Sequence, residues 1–317
     1  MLKVGLVGVG GISGTHIPAW ESMEETELVA LCDVRPERFA QFEGNKRCYT
    51  DFDEMLEKEE LDILDICLPS YMHPEFAIKA MDKGINVLCE KPLSLNKEDV
   101  ARVYDAAKRN NVKFMVAHVL RFWPEFDYVK QVVESGRYGK PLSGIVQRLN
   151  HMPKTSWDGW MTDEKRSGFV PFDLHIHDLD FLVYAFGEPK DFTCKRVKGT
   201  DNDYVNVMYD YGDFFIAGEA SWYKQNFPFK AGFRFQFEKA LLVLDNGVLT
   251  VYENENDNTF QPFECSESAD DSGYIIQSDA YKNEIVYFTE CVLENKEPSI
   301  IKASELEKVI DILNNLF

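Results

Sequence analysis

Basic residues are scarce in this chain: 34 Lys and Arg stand against 54 Asp and Glu, a formal net charge of 34 − 54 = −20. With no basic cluster either, the sequence offers no counterpart to a nucleic-acid backbone or an anionic membrane surface. Long apolar runs are missing too; none approaches about 18 residues, so no segment reads as a membrane span. The first residues enter an apolar strand without the charged and apolar regions of a secretory signal. Cysteine is scattered, with Cys32, Cys48, Cys67, Cys89, Cys194, Cys265 and Cys291 standing singly and no Cys-x-x-Cys among them. An odd, dispersed set reads as reduced thiols in a cytoplasmic protein and supplies no metal-ligand spacing. No internal repeat is visible. What is present is 45% apolar and 13% aromatic over 317 residues, enough for two cores of ordinary size.

The first 33 residues organise the rest. An apolar run at Leu2–Val7 leads into Gly8-Val9-Gly10-Gly11-Ile12-Ser13-Gly14, a helical pattern starts near Ile12, and a second apolar run, residues 28–32, ends in Asp33. A glycine turn between strand and helix, with an acid about 20 residues on, is the context of a dinucleotide site. Gly8 allows the tight turn, and Gly10 lets a pyrophosphate approach the backbone. The N–H groups at the helix start, around Gly11 and Ile12, face the phosphates. Asp33 would accept hydrogen bonds from the adenosine ribose. Arg35, two residues on, would either pair with a ribose phosphate or neutralise Asp33.

The alternation continues to about residue 120. Helical signals cover residues 15–23, 36–42, 52–57 and 74–81, with Asp51 or Thr50 capping the third. Residues 61–68 (LDILDICL) form a nearly continuous apolar run, as a strand buried in a parallel sheet requires. A strand at residues 85–89, a helix opened by Asn96 and Asp99 as a capping box, and a strand at residues 113–117 complete it. The expected fold class is α/β, with an N-terminal Rossmann doubly wound parallel sheet over residues 1–120. Beyond it come a helix at residues 124–134, a strand at 142–149 and a helix at about 172–186. Six strands then follow, at residues 192–197, 204–209, 214–222, 231–238, 240–244 and 248–252, as one large antiparallel sheet. Residues 253–273 read as an exposed polar excursion, and helices at 279–294 and 303–316 close the chain. Residues 121–317 are therefore expected to form a substrate-binding and oligomerisation α/β domain with an open, mostly antiparallel sheet.

Two further stretches look chemical. Cys89-Glu90-Lys91-Pro92 falls at the carboxyl end of a parallel strand, where open α/β sheets bind ligands. Lys91 there can donate to a substrate oxygen or cycle a proton. Pro69 and His73, in the segment that leaves the preceding strand, and Glu90 would edge the cofactor. The second stretch is Asp173-Leu174-His175-Ile176-His177-Asp178-Leu179-Asp180. Asp173 and His177 are i and i+4 on a helix, so the carboxylate can orient an imidazole that moves protons near neutral pH. Asp180 lies at the edge of that face. His175 and His177 diverge by about 200° on a helix, which excludes chelation by that pair unless the backbone is non-helical.

With these residues in hand the chain resembles the glucose–fructose oxidoreductase / inositol dehydrogenase (Gfo/Idh/MocA) family. The GVGGIS turn, LPSYMHPE, CEKP and Asp-x-x-x-His appear in the family's order. The resemblance implies a Rossmann domain followed by an α/β domain whose open sheet builds homodimers or homotetramers. It implies NAD, with NADP possible, and a sugar, cyclitol or related polyhydroxylated ring as substrate. It assigns catalysis to Lys91, Asp173 and His177, and implies a cis peptide at Lys91-Pro92. Arg121, His151, Trp157 and Trp160 fall where relatives place substrate contacts; Arg121 and Trp160 join Asp173 and His177 as the candidates. Bulky Phe169, Phe172 and His175 depart from the family's small residues before the histidine, so substrate identity does not transfer. Two other readings stay open: a redox-neutral, NAD-dependent glycoside hydrolase or lyase, and a non-catalytic dinucleotide-binding regulatory protein, against which the intact Lys91, Asp173 and His177 set argues.

Overall fold

The computed structural model describes residues 1–316 except 43, 45, 255–257, 264–267, 270–275 and 278. Much of the expected excursion at 253–273, and Cys265 with it, lies outside the described residues. Two compact units emerge, Met1–Val119 with Asp279–Leu306, and Leu120–Ser278 with Glu307–Phe317. The sequence expectation kept 121–317 together; the structure returns residues 279–306 to the first unit.

The first unit runs β1 (Leu2–Val7), α1 (Ser13–Glu21), β2 (Thr26–Cys32), β3 (Arg47–Tyr49), α2 (Phe52–Lys58), β4 (Ile63–Ile66), α3 (His73–Met81), β5 (Asn86–Glu90), α4 (Lys97–Asn110) and β6 (Phe114–Ala117). The sheet order is β3-β2-β1-β4-β5-β6, parallel throughout. The strand order reverses between β1 and β4, and ligands of such sheets bind beyond the carboxyl ends there. Every residue of β4 and β6 is buried, which explains a sequence that is apolar throughout except for Asp65 of β4. Asp51 caps α2 through Glu54 N–H, as expected. Two expectations are corrected. Residues Pro36–Phe42 form a 3-10 turn, not an α-helix. Asn96 makes no side-chain cap on α4; the Ser94 hydroxyl instead donates to Asp99 and accepts Asn96 N–H, tying the chain before the helix to its first turn.

The second unit contains α5 (Pro124–Ser135), β7 (Pro141–His151), α6 (Glu164–Ser167), a π-helical turn (Pro171–His175), α7 (Ile176–Phe186), β8 (Asp191–Lys198), β9 (Asp203–Asp210), β10 (Phe215–Tyr223), β11 (Lys230–Phe237), β12 (Ala240–Asp245), β13 (Val248–Glu253) and β14 (Thr259–Phe260). These strands form one eight-stranded sheet in the order β14-β13-β12-β11-β7-β10-β9-β8. It is antiparallel except where β7 and β10 pair in parallel, the mostly antiparallel open sheet that was expected, with β7 inserted between β10 and β11. Alternating burial along β9 turns Val205, Val207 and Tyr209 inward. Phe126 of α5 and Phe181 of α7 meet edge to face at 4.9 Å over the Phe233 and Phe235 rings of β11. Such contacts fix the helices on the sheet.

Last come α8 (Asp279–Leu293) and α9 (Ala303–Asn314). Within the first unit α8 packs on α1 and β5, burying Ala280, Glu284, Ile285 and Phe288. No helix among the described residues is long and apolar enough to cross a membrane.

Candidate active site

At the carboxyl edge of the parallel sheet, Gly8 sits at φ +96°, and a Cβ there would meet Cys67 O at 2.5 Å. Only glycine fits both constraints. Space opens at Gly10, where an added Cβ would meet nothing within 4 Å. Gly10, Gly11 and Ile12 remain accessible, and no side chain caps the start of α1. A helix start left open over a glycine turn is the arrangement that receives a phosphate.

Asp33 ends β2 beside that turn, with one carboxylate oxygen accepting Val9 N–H at 2.9 Å. Arg35 closes over it as a fork, Nε to Oδ1 at 2.9 Å and Nη2 to Oδ2 at 2.8 Å. Burial alone would raise the Asp33 pKa, but the hydrogen bonds and charge of Arg35, with Val9 N–H, outweigh it and hold it below its ordinary value. Of the two roles open to Arg35 in the sequence, this structure holds the neutralising one.

The Glu90-Lys91-Pro92 segment leaves β5 at the same edge, with a cis Lys91-Pro92 peptide. Lys91 is half-buried, and its backbone N–H donates to Glu90 Oε2 at 2.9 Å. Pro69 is accessible here. His73 is buried, its ring bridging Pro92 O at 2.8 Å and Leu68 O at 2.7 Å. Burial lowers its pKa against two carbonyl acceptors that favour the charged ring. The imidazole thus braces the loops after β4 and β5.

In the second unit the catalytic candidates occupy the π turn and α7. From Pro171 to Val183 every residue is buried except Asp173 and His177, which are the two part-exposed positions. They therefore lie on one accessible face, although the turn carrying Asp173 is π-helical; π turns recur at functional sites. His175 is fully buried, its Nε2 within 2.7 Å of Tyr209 Oη and its ring stacked on that tyrosine. Burial takes its pKa down to about 4. Gly218 makes room for it, since a Cβ there would meet His175 Cε1 at 2.6 Å. His175 is a packing residue.

Two buried ion pairs hold α7. Arg148 of β7 grips Asp178 with two bonds of 3.0 Å, and Arg121 grips Asp180 at 2.9 and 2.7 Å. Asp180 thus lies inside, not at the edge of the Asp173/His177 face. Arg121 is buried as well, its guanidinium 4.5 Å from the Tyr184 ring centroid. Trp157 and Trp160 are half-buried in a 3-10 turn (Trp157–Thr162), where Arg166 bonds the carboxylate and carbonyl of Asp158 at 2.8 and 2.7 Å. His151 Nδ1 lies 3.2 Å from Phe227 O.

Sequence reasoning missed His16, Asp65, Glu284, Arg148 and Asp178. Asp65 carried a signal, being an acid within the apolar run LDILDICL that must find a buried partner. His16 Nδ1 and Trp20 Nε1 supply it, at 2.8 and 2.7 Å from Asp65 Oδ2.

Comparison with known proteins follows this division. A family model described as "Oxidoreductase family, NAD-binding Rossmann fold" matches residues 2–118, and one described as "GFO/IDH/MocA C-terminal domain" matches residues 126–253. The chain is similar to D-apiose dehydrogenase of Paraburkholderia graminis, 32% identical over 59% of this chain and 50% of that protein. It is also similar to myo-inositol 2-dehydrogenase of Thermotoga maritima, 30% identical over 59% of this chain and 55% of the relative. The chain thus spans about half the length of the curated relatives it matches. Among solved structures, levoglucosan dehydrogenase in complex with NADH and levoglucosan superposes with a TM-score of 0.82. At 21% identity over 99% of this chain and 95% of that one, it shows a shared fold.

Proposed function

The chain belongs to the GFO/IDH/MocA family, and from that premise we propose that it is an NAD-dependent oxidoreductase acting on a CH–OH group of a sugar, cyclitol or related polyhydroxylated ring. The observation that carries the reading is the carboxyl edge of the first sheet. There Gly8, Asp33 and Lys91 end three strands beside an open, uncapped helix start. Gly10, Gly11 and Ile12 would hold the pyrophosphate, Asp33 and Arg35 the adenosine ribose, and Pro69, Glu90 and Lys91 the nicotinamide half. His73 supports that half by bracing its two loops. The nicotinamide, when bound, supplies the acceptor or donor of hydride.

In this reading Lys91 Nζ donates a hydrogen bond to the reacting oxygen. His177 takes the hydroxyl proton during oxidation and returns it during reduction, with Asp173 orienting the imidazole. Trp160 offers an aromatic face to the C–H surface of a ring. Arg121 serves the site by holding α7 through Asp180. NAD is the preferred cofactor because a carboxylate at Asp33 disfavours a ribose phosphate. Arg35 lowers that barrier, so NADP is tolerated. Val197, Met208, Phe215 and Tyr252 are exposed, and strand register puts them on one face of the eight-stranded sheet. We assign that face to a homodimer or homotetramer of a cytoplasmic protein.

The test is a panel of sugars, cyclitols and aryl glycosides incubated with the protein and NAD, following NADH absorbance and aglycone release together. Net NADH with a sugar or cyclitol supports the reading. Aglycone release without net NADH moves it to redox-neutral glycoside cleavage, and neither signal leaves a binding protein.

A further inference from the structure

Four acid–base groups from four elements meet inside the first unit: His16 of α1, Asp65 of β4, Glu90 of β5 and Glu284 of α8, none more than 6% exposed. His16 Nδ1 lies 2.8 Å from Asp65 Oδ2, and its Nε2 lies 3.1 Å from Glu90 Oε1. The other Glu90 oxygen accepts the Lys91 backbone N–H. Glu284 is fully buried, and neither of its carboxyl oxygens has a hydrogen-bond partner among the described residues. One of its oxygens, a His16 ring nitrogen and a Glu90 carboxylate oxygen all lie within 4.8 Å of one another.

We infer that His16 and Glu284 are positioning residues for Lys91, acting through the Glu90 carboxylate that anchors the Lys91 backbone. The inference rests on the reading of Lys91 as the donor to the reacting oxygen. Both ring nitrogens of His16 face carboxylate oxygens, and a neutral imidazole can donate to only one. The imidazolium donates to both and fixes Glu90. An ionised Glu284 with no donor would set a further buried negative charge beside Asp65 and Glu90, so it sits there as the neutral acid. Counting Asp65 and Glu90 as −1 each, His16 as +1 and Glu284 as 0, the cluster carries −1, next to the Lys91 cation.

The directions of titration agree. Burial disfavours the His16 cation, but Asp65 and Cys67 together outweigh it and raise the pKa well above the usual value. Burial would raise Glu90, and the hydrogen bond and charge of His16, with the charges of Lys91 and His73, together more than reverse this. Glu284 is driven well up by burial and then by the Glu90 charge. Cys67, after β4, also faces the cluster, Cys89 precedes Glu90 on β5, and burial keeps both as thiols, Cys67 with a pKa of about 12. From α8 itself the Tyr281 ring lies 6.1 Å from the His16 ring. Alkali strong enough to titrate Glu284 or His16 therefore reaches the anchor. Loss of either proton adds negative charge beside Glu90 or removes the donor that aims it, and the Lys91 anchor loosens.

The test compares wild type, the neutral isostere Glu284→Gln, and His16→Asn. Above the ordinary carboxylate range the unfolded chain loses the Glu284 proton while the folded chain keeps it. Wild-type stability therefore falls with rising pH, by up to about tenfold in the unfolding constant per pH unit, until folded Glu284 ionises. Glu284→Gln should lack that component and lose the infrared carbonyl band of a buried carboxylic acid. His16→Asn should lower kcat by about tenfold or more while NADH affinity holds, with the Lys91 amide resonance displaced. Parallel stability–pH curves for wild type and Glu284→Gln would overturn the inference. So would one equivalent of divalent metal bound by wild type and absent from Glu284→Gln, since the cluster would then be a metal site. An unmoved Lys91 amide in His16→Asn would overturn the positioning role even with catalysis by Lys91 intact. Full activity in Lys91→Ala would remove the functional reading and that role with it, while the stability and infrared results would still report the Glu284 proton.

Discussion

Arg35→Ala should sharpen the choice between cofactors. In the structure Arg35 makes two charge-assisted bonds to Asp33, whose carboxylate is 4% exposed and also accepts Val9 N–H. A ribose phosphate arriving beside this pair meets a neutralised carboxylate, and Arg35 can turn to the phosphate as its partner. Removing the guanidinium leaves the carboxylate charge bare. Two like charges about 4 Å apart repel by roughly 4 kcal/mol at an effective dielectric of 20. Screening by salt and solvent at this accessible edge reduces that to about 1.5–3 kcal/mol. The ratio of NADPH to NADH dissociation constants should accordingly rise by about 10- to 100-fold. NADH itself should bind as well or better, because Asp33 is released to accept from the ribose hydroxyls. Fluorescence titration of both reduced cofactors reads this directly. A ratio unchanged by Arg35→Ala, or NADH weakened as much as NADPH, would refute the neutralising role.

Three other outcomes follow from the geometry. Lys91→Ala and His177→Ala should each lower turnover by roughly 10² or more with NADH affinity retained, and Asp173→Asn should be milder; steady-state kinetics beside cofactor titration checks the split. Arg121→Ala strands the buried Asp180 carboxylate and should destabilise the protein by about 3–5 kcal/mol in denaturant unfolding. His175, with a folded pKa of about 4, must stay neutral in the folded chain, while the unfolded histidine takes a proton below its ordinary 6.5. Its contribution is thus fully present above that value and lost as pH falls towards 4. His175→Gln should remove roughly 3 kcal/mol of that acid sensitivity from a stability–pH profile.

Where the sequence was legible, one periodicity dominated. Strands β4 and β6 read correctly because both faces are covered and the run is apolar apart from Asp65 of β4. Strands β8 to β13 read correctly because a half-buried strand alternates. Strand β3 is three residues, Arg47-Cys48-Tyr49, at the sheet edge and part-exposed throughout, so it carries no pattern to find. The parallel pairing of β7 with β10 depends on the spatial order of strands, which local sequence does not encode. In the site, Gly8, Asp33, Lys91, Asp173 and His177 were chosen from motif and spacing. The spacing sets His175 apart from His177 but gives it no role; burial and its stack on Tyr209 show it to be packing. Glu284 was hidden most completely. In the run Asp279-Ala280-Tyr281-Lys282-Asn283-Glu284 it looks like one more polar helix residue, and its neighbours come from α1 and β5.

The measurement that bears most directly on the central claim is label transfer. The best substrate from the panel, deuterated at the carbinol carbon, is incubated with the protein and NAD, and the NADH formed is weighed by mass spectrometry. Direct hydride transfer predicts NADH one mass unit heavier than normal, formed more slowly than with unlabelled substrate. Unlabelled NADH, or product formed with no net NADH, would contradict it.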